Sequence, residues 1–410
     1  MTLTHGNKPK ILWLSDSSTT VTGYANQTMN ILNRLKGFEK HQQAHNYVGQ
    51  DIRPGLTFKD GTKLDFWLHG TGTKPYSQDL LVPRIRELGI DIFGILLDSF
   101  MTYPWLLNLD FAPAKTFFYF PTDGENKMPQ GCDAILRKVH FPICMSKFGQ
   151  AQVKREYNID VDHIPHGVDS KQFFPLKEEA KKKLREDTTA YVLSNNALVP
   201  VKGALQDKFV VGVVARNQGR KMLDRTFKAM SLVKTLIPEA VLYMHTDPAD
   251  SAGVHNLQQL ITDYGLENRV FFSGMNFYKG FEHKQMNSVY NVMDIFFLST
   301  SGEGFCIPII EAMSAGIPVV ATDYTTTKEL VTDNNCGIAI KLNTTILGNW
   351  NVERGVMDIQ DAADVIVKLH QDKKLMKKYS INGRKAVLKI YDWPVVMKLW
   401  QNKMNQIMES

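Results

Sequence analysis

The sequence predicts an α/β protein built from two tandem doubly wound units, each a parallel sheet with crossover helices. Three observations carry this. Short apolar runs alternate with amphipathic segments in the order strand, turn, helix, strand, and that order builds parallel sheets. The alternation runs twice, on either side of an irregular, charged stretch near residues 165–208. The length, 410 residues, is ample for two domains of ordinary size.

The first series opens with a strand at Lys10–Ser15 and a helix at Asn26–Leu35, followed by strands at Asp91–Leu97 and Thr116–Phe120. A strand at Phe141–Met145 and a helix at Lys147–Glu156 come next, with Ser146 placed to cap that helix. IPHGVD, residues 164–169, reads as a turn with His166 at a hinge. Leu176–Asp187 has mixed charge at helical spacing and reads as a solvated helix. Thr188–Lys208 shows no clear period and reads as a connector. The second series has strands at Phe209–Ala215, Ala240–His245, Arg269–Ser273, Ile295–Ser299 and Pro318–Thr322. Its helices are Leu223–Lys234, Leu257–Tyr264, Gln285–Val292 and Pro308–Ala315, then Asp361–Gln371 and Leu375–Ile390. The expected domains are residues 1–167 and 168–388. In such sheets ligands sit beyond the carboxyl ends of the strands, so the polar residues just after each strand matter most.

Composition narrows the class. A chain 43% hydrophobic and 22% charged is neither disordered nor collagenous. The net charge of +6 leans mildly toward anionic partners, and nucleic acid is not indicated. Cys132, Cys144, Cys306 and Cys336 form no CxxC and no metal spacing, so no metal is expected and the cysteines read as reduced thiols of a cytoplasmic protein. MTLTHGNKPK has no apolar core of a secretory signal, and no run approaches the ~20 apolar residues of a spanning helix.

Two constellations carry chemistry. In SGEGFCIPIIEAMSA, residues 301–315, Gly302 and Gly304 allow a tight turn after a strand, and Pro308 suits the first position of a helix. The amides of Phe305, Cys306 and Ile307 then stand as donors for a phosphate at a helix N-terminus. Glu303 in the loop and Glu311 in the first helical turn are expected to face one pocket. Each carboxylate suits a vicinal diol, and equally suits a turn cap or the helix dipole. In ARNQGRK, residues 215–221, Arg216, Arg220 and Lys221 crowd a strand–helix turn. Three cations there repel unless an anion joins them, and a diphosphate fits that role as well as a solvated basic loop does.

These residues carry a resemblance. GEGFCIP with Glu303 and Glu311 resembles the E-x7-E motif of glycosyltransferase family 4, and Arg216 with Lys221 resembles that family's phosphate pair. SAGIPVVATDYTTTKELV, IPHGVD and the closing YDWPVVMKLW resemble the flanking family segments. The resemblance is specific across Phe209–Leu330 and diffuse before Phe141. It implies the GT-B fold: two Rossmann-like domains facing across a cleft, the first taking the acceptor and the second the nucleotide sugar. A helix at 389–410 would cross back to the N-terminal domain. It implies a retaining transferase that moves a sugar from a nucleotide-diphosphate sugar to an acceptor hydroxyl by same-face attack, with no metal and no cofactor beyond the donor. Arg216, Lys221 and Glu303 would be catalytic. The donor would meet Gly23, Arg216, Lys221, Gly304, Phe305, Cys306, Ile307, Glu311 and the backbone of Met275 in SGMNFYKG.

Departures from the family are visible. TTVTGYANQ, residues 19–27, has one glycine, Gly23, where relatives often have two. FPTDGE, residues 120–125, has no histidine, and Asp123 is the candidate there for sugar or acceptor, or for a turn cap. His245 is a candidate for the base pocket. Asp247 and Asp250 read as a loop rather than a metal motif. A glycan or a lipid-linked acceptor both remain open, the latter with peripheral membrane contact through the Lys-rich segment Asp372–Lys385. A GT-B epimerase or phosphorylase, and a non-catalytic nucleotide-sugar binder, are the competing readings.

Overall fold

The computed structural model describes residues 8–58, 61–126, 128, 131–276, 281 and 283–410, with backbone alone at 283 and 284. Phe277–Gly280 of the SGMNFYKG segment lie outside the described residues. The chain divides into two units. The first holds residues 1–122, 126–167 and 394–410; the second holds 123–125 and 168–393. Residues 389–393 thus stay with the second unit.

In the first unit the strands are β1 (Lys10–Ser15), β2 (Glu39–Ala44), β3 (Trp67–His69), β4 (Ile92–Leu96), β5 (Lys115–Phe120), β6 (Phe141–Cys144) and β7 (Asp162–His163). They pair in the order β3-β2-β1-β4-β5-β6-β7, all parallel. The order reverses between β1 and β4, the switch point of a doubly wound sheet. The helix at Gly23–Arg34 starts three residues before the expected Asn26, because the Thr22 hydroxyl accepts from the Ala25 amide and caps it. Ser146 caps the helix Lys147–Tyr157 through the Gly149 amide. The closing helix, Trp393–Glu409, contributes Trp400 to this unit's core, edge-on to Trp13 and Tyr119 at centroid distances of 5.2 and 4.9 Å.

In the second unit the strands are β8 (Thr189–Ser194), β9 (Ala197–Lys202), β10 (Phe209–Val214), β11 (Ala240–His245), β12 (Val270–Phe272), β13 (Ile295–Leu298), β14 (Val319–Thr322), β15 (Gly337–Ile340), β16 (Leu342–Leu347) and β17 (Glu353–Met357). The main sheet runs β15-β14-β13-β10-β11-β12-β8-β9. Its six strands from β15 to β12 are parallel, and their sides are covered by apolar residues such as Val211, Phe227, Leu242, Phe297 and Ile366. The expected connector at 188–208 is instead an antiparallel hairpin added to the β12 edge through Tyr191 and Phe272. Asn195 and Asn196 both take left-handed φ, 49° and 60°, as a tight two-residue hairpin turn requires. The sheet is therefore mixed rather than wholly parallel. A separate two-stranded sheet, β16 with β17, follows β15.

Among the described residues no helix is long and apolar enough to cross a membrane.

Candidate functional site

The topology explains why the two distant constellations meet. β10 pairs with β11 on one side and β13 on the other, so the second sheet changes direction between β10 and β13. The segments leaving their carboxyl ends, 215–221 and 299–306, flank that switch point. They are sewn together: the Ser301 amide donates to the Arg220 carbonyl at 2.7 Å, and the Ser299 hydroxyl donates to the Lys221 carbonyl at 2.9 Å.

Glu303 is buried there and is held on both oxygens. Lys221 Nζ donates to Oε1 at 2.5 Å and Arg220 Nη1 meets Oε2 at 2.8 Å. The Thr300 hydroxyl adds a third bond to Oε1 at 2.8 Å. Burial alone would raise the pKa of such a carboxyl. The charges of Arg220 and Lys221 outweigh it and bring the pKa down to about 2. The Glu303 amide donates to the Thr325 hydroxyl at 3.0 Å, fixing the backbone as well. Gly302 is required by contact: a Cβ there would lie 2.1 Å from the Asp123 carbonyl oxygen.

Arg216 is gripped by Asp250, with Nε to Oδ2 at 2.6 Å and Nη2 to Oδ1 at 3.1 Å. Asp250 and Glu303 supply two built-in carboxylates, which offset the crowding of the three cations. Asp250 lies in the loop after β11 and, among its other roles, accepts from the Ala252 amide.

The helix runs Ile307–Ser314, so Pro308 is its second residue and Glu311 its fifth, one residue further in than expected. Glu311 does not share a partner with Glu303. Its Oε2 accepts from the Tyr290 hydroxyl at 2.6 Å, inside the second unit. Burial pushes its pKa up to about 7, against the pull of that hydrogen bond. Tyr290 itself is fully buried and its own pKa stands well above 10.

The remaining candidates fall as follows. Cys306 precedes the helix at φ 81°, and burial takes its thiol up to about 12, so it is an inert thiol. Gly304 and Ile307 are half-buried around it, while Phe305 is buried edge-on to Tyr391 with its carbonyl held by the Thr326 hydroxyl. Met275 is half-buried after β12. Gly23 is the first residue of its helix, in the first unit. Asp123, expected to serve the N-terminal half, belongs to the second unit. Its carboxylate meets Arg354 Nη1 at 2.9 Å and its carbonyl accepts from the same nitrogen at 2.7 Å. His166 and His245 are buried and neutral, with pKa values driven down to about 3 and about 4 by burial. His166 meets the Tyr119 hydroxyl at 2.9 Å, and His245 meets the Ser273 hydroxyl at 2.8 Å.

Sequence reasoning missed Thr300, Thr325, Tyr290 and Arg354, and read Asp250 as plain loop. Asp250 had a readable signal, an acid just past a strand end opposite a basic turn. The others become visible only through long-range pairing.

Residues 194–386 match the family described as Glycosyl transferases group 1. Among curated proteins, the lipopolysaccharide core biosynthesis mannosyltransferase LpsB of Rhizobium meliloti is 32% identical over 173 residues, 41% of this chain and 42% of LpsB. The mannosylfructose-phosphate synthase of Agrobacterium fabrum is 25% identical over 202 residues, 47% of this chain and 38% of the relative. The chain thus spans less than half the length of these relatives. Among solved structures, sucrose-phosphate synthase from Thermosynechococcus elongatus superposes with a TM-score of 0.73 at 17% identity, covering 98% of this chain and 100% of that one. Anabaena Alr3699/HepE in complex with UDP-glucose gives 0.70 at 16%, covering 97% and 99%. The fold is that of the GT-B glycosyltransferases.

Proposed function

We propose that this chain, which carries a group 1 glycosyltransferase domain at residues 194–386, is a retaining glycosyltransferase that moves a sugar from a nucleoside-diphosphate sugar to an acceptor hydroxyl. The observation that carries the reading is the Lys221–Glu303–Arg220 cluster at the switch point, with Arg216 alongside. An ammonium has three donors, and a guanidinium five. Glu303 and Asp250 take some of these and aim the rest at fixed positions. A diphosphate leaving group gathers charge as its bond to the sugar breaks, and preorganised cations stabilise that charge more in the transition state than before it. In this reading Arg216 and Lys221 bind the diphosphate in place of a metal, with the Cys306 and Ile307 amides beside them.

Glu303 stays ionised through the whole working range, so it accepts hydrogen bonds from donor-sugar hydroxyls and serves no proton transfer. Glu311, poised near neutrality, takes the ribose. The departing diphosphate oxygen is the base for the acceptor hydroxyl, on the face the leaving group vacates, so no covalent sugar–enzyme intermediate is needed. The 1–167 portion takes the acceptor, a glycan or a lipid-linked one. The lipid-linked case would bring the Lys-rich helix Lys373–Ala386 to a membrane surface. Because HepE is described with UDP-glucose, UDP sugars are the donors to try first.

The test is a thermal-shift screen with UDP, GDP, ADP and their sugar conjugates in the presence of EDTA. A ligand at 100 times its dissociation constant adds about 2.7 kcal/mol of stability. One nucleotide family should raise the melting temperature, and Lys221→Met should abolish the rise. No rise with any of them overturns the donor-site assignment, and a rise that needs added divalent metal overturns the metal-free part.

A further inference from the structure

The β16–β17 hairpin lies outside the cluster of Glu303, Lys221 and Arg216, and it carries several exposed apolar side chains. Leu347 is 69% exposed, Trp350 63% and Ile346 46%. Trp350 also sits at φ 62°. A bulky residue in the left-handed region is a genuine outlier, and such strain persists where the position serves something other than stability. The stretch Leu342–Val352 carries no charge; besides its apolar residues it holds Asn343, Thr344, Thr345, Gly348, Asn349 and Asn351.

The hairpin is fastened to the donor turn. Gly355 on β17 donates to the Ser301 carbonyl at 3.0 Å, and its neighbour Arg354 holds Asp123 against Gly302. Five backbone steps separate Trp350 from Gly355, so the Trp350 backbone lies at most about 18 Å from that of Gly355.

We propose that the tip of this hairpin is a saccharide-binding subsite, in which Trp350 stacks on a sugar ring of an oligosaccharide acceptor and Asn349 and Asn351 meet its hydroxyls. The inference rests on the glycosyltransferase reading and names its acceptor class. An indole face presents an apolar surface to the C–H side of a pyranose, and amides pair with hydroxyls. The uncharged rim does not match phosphates of a lipid headgroup or a nucleic acid. In this reading the acceptor is an oligosaccharide with one of its rings on the indole.

The experiment measures retention of the full chain on immobilised neutral glucan and mannan oligosaccharides, short and long. The native protein should be retained by longer chains. Trp350→Asn, whose side chain tolerates the left-handed backbone, should weaken retention about tenfold, and Trp350→Phe should recover most of it. Nucleotide-induced thermal shift, run on the same samples, is expected to be the same in all three and controls for folding. If nucleotides shift the melt but no oligosaccharide retains the protein, or Trp350→Asn is retained like the native chain, the subsite is refuted and the transferase reading stands. If no nucleotide shifts the melt, the transferase reading fails while the retention result still judges the hairpin. If Trp350→Asn leaves retention unchanged but turns a dimer into a monomer in sedimentation, the tip is a self-association face and the subsite is refuted.

Discussion

Replacing Glu311 by Gln should make the protein much more stable in mild alkali and only slightly so in mild acid. Glu311 is buried and its pKa rises from 4.5 to about 7. A raised carboxyl pKa means the folded state holds a proton that the unfolded state has released. Stability from this group is therefore full below pH 4.5 and is lost as pH climbs through 7. Each pKa unit is worth 1.36 kcal/mol, so the whole loss is at most ~3 kcal/mol. Gln keeps an oxygen to accept from the Tyr290 hydroxyl and has no charge to bury. The variant should gain up to ~3 kcal/mol over the native chain at pH 8.5 and less than about 1 kcal/mol at pH 5. For a unit of this size that is roughly 6–10 °C in melting temperature. The assay is a melting series from pH 5 to pH 8.5 on both proteins. A difference in melting temperature that does not grow with pH would show that Glu311 is ionised when folded and refute the argument. The same variant should bind nucleotide less tightly, since a neutral amide accepts a ribose diol less well.

Two further outcomes follow from the packing. Glu303→Gln should cut turnover roughly 100-fold or more and should also destabilise the second unit by about 3–5 kcal/mol, because Lys221 and Arg220 lose a buried counter-charge; initial rates and melting temperature together check it, and native-like values of both would sink the site. Trp400→Ala should cost the first unit about 3–5 kcal/mol, since it empties a fully buried site against Trp13 and Tyr119; urea unfolding monitored by near-ultraviolet dichroism measures it, and a loss below about 1 kcal/mol would mean that the closing helix is not part of that core.

What could be read in the sequence, and what could not, follows from which forces are local. β10, β13 and β14 are near-continuous apolar runs because parallel strands are covered on both faces, and such runs announce themselves. β2 is the opposite case. EKHQQA looks like a surface segment, yet Lys40, His41, Gln42 and Gln43 are all buried. Each is satisfied by a partner far along the chain: Lys40 by Asp65 at 2.7 Å, His41 by His69 at 3.0 Å, Gln42 by the Asp16 carbonyl at 2.6 Å, Gln43 by the Gly70 carbonyl at 2.6 Å. No local pattern reveals that. The β8–β9 hairpin went unseen because its turn signal, Asn-Asn, is weaker than Asn-Gly. At the site, the residue types and their place after strands were legible in Arg216, Lys221 and Glu303. Their pairing with Asp250 and with one another was not, and neither was the hydroxyl of Thr325 under the Glu303 backbone. Those depend on which strand ends the topology brings side by side.

The closing helix sets the order in which the protein can finish folding during synthesis. Trp13 is made before the whole second unit, but the partner that covers it, Trp400, comes only after that unit. At ribosomal speeds of ~5–20 residues per second, the first unit stays incomplete for roughly 10–50 s after residue 167 is made. The second unit has no such debt: Val168 and Trp393, its two chain ends, are bonded to each other at 3.1 Å, so it can close as soon as residue 393 emerges. A nascent chain stalled before residue 394 should therefore present a folded nucleotide unit beside an open sheet whose exposed Trp13, Phe117 and Tyr119 are the natural target of a chaperone. A truncation at the same point should fail by aggregation of its N-terminal half rather than by loss of nucleotide binding.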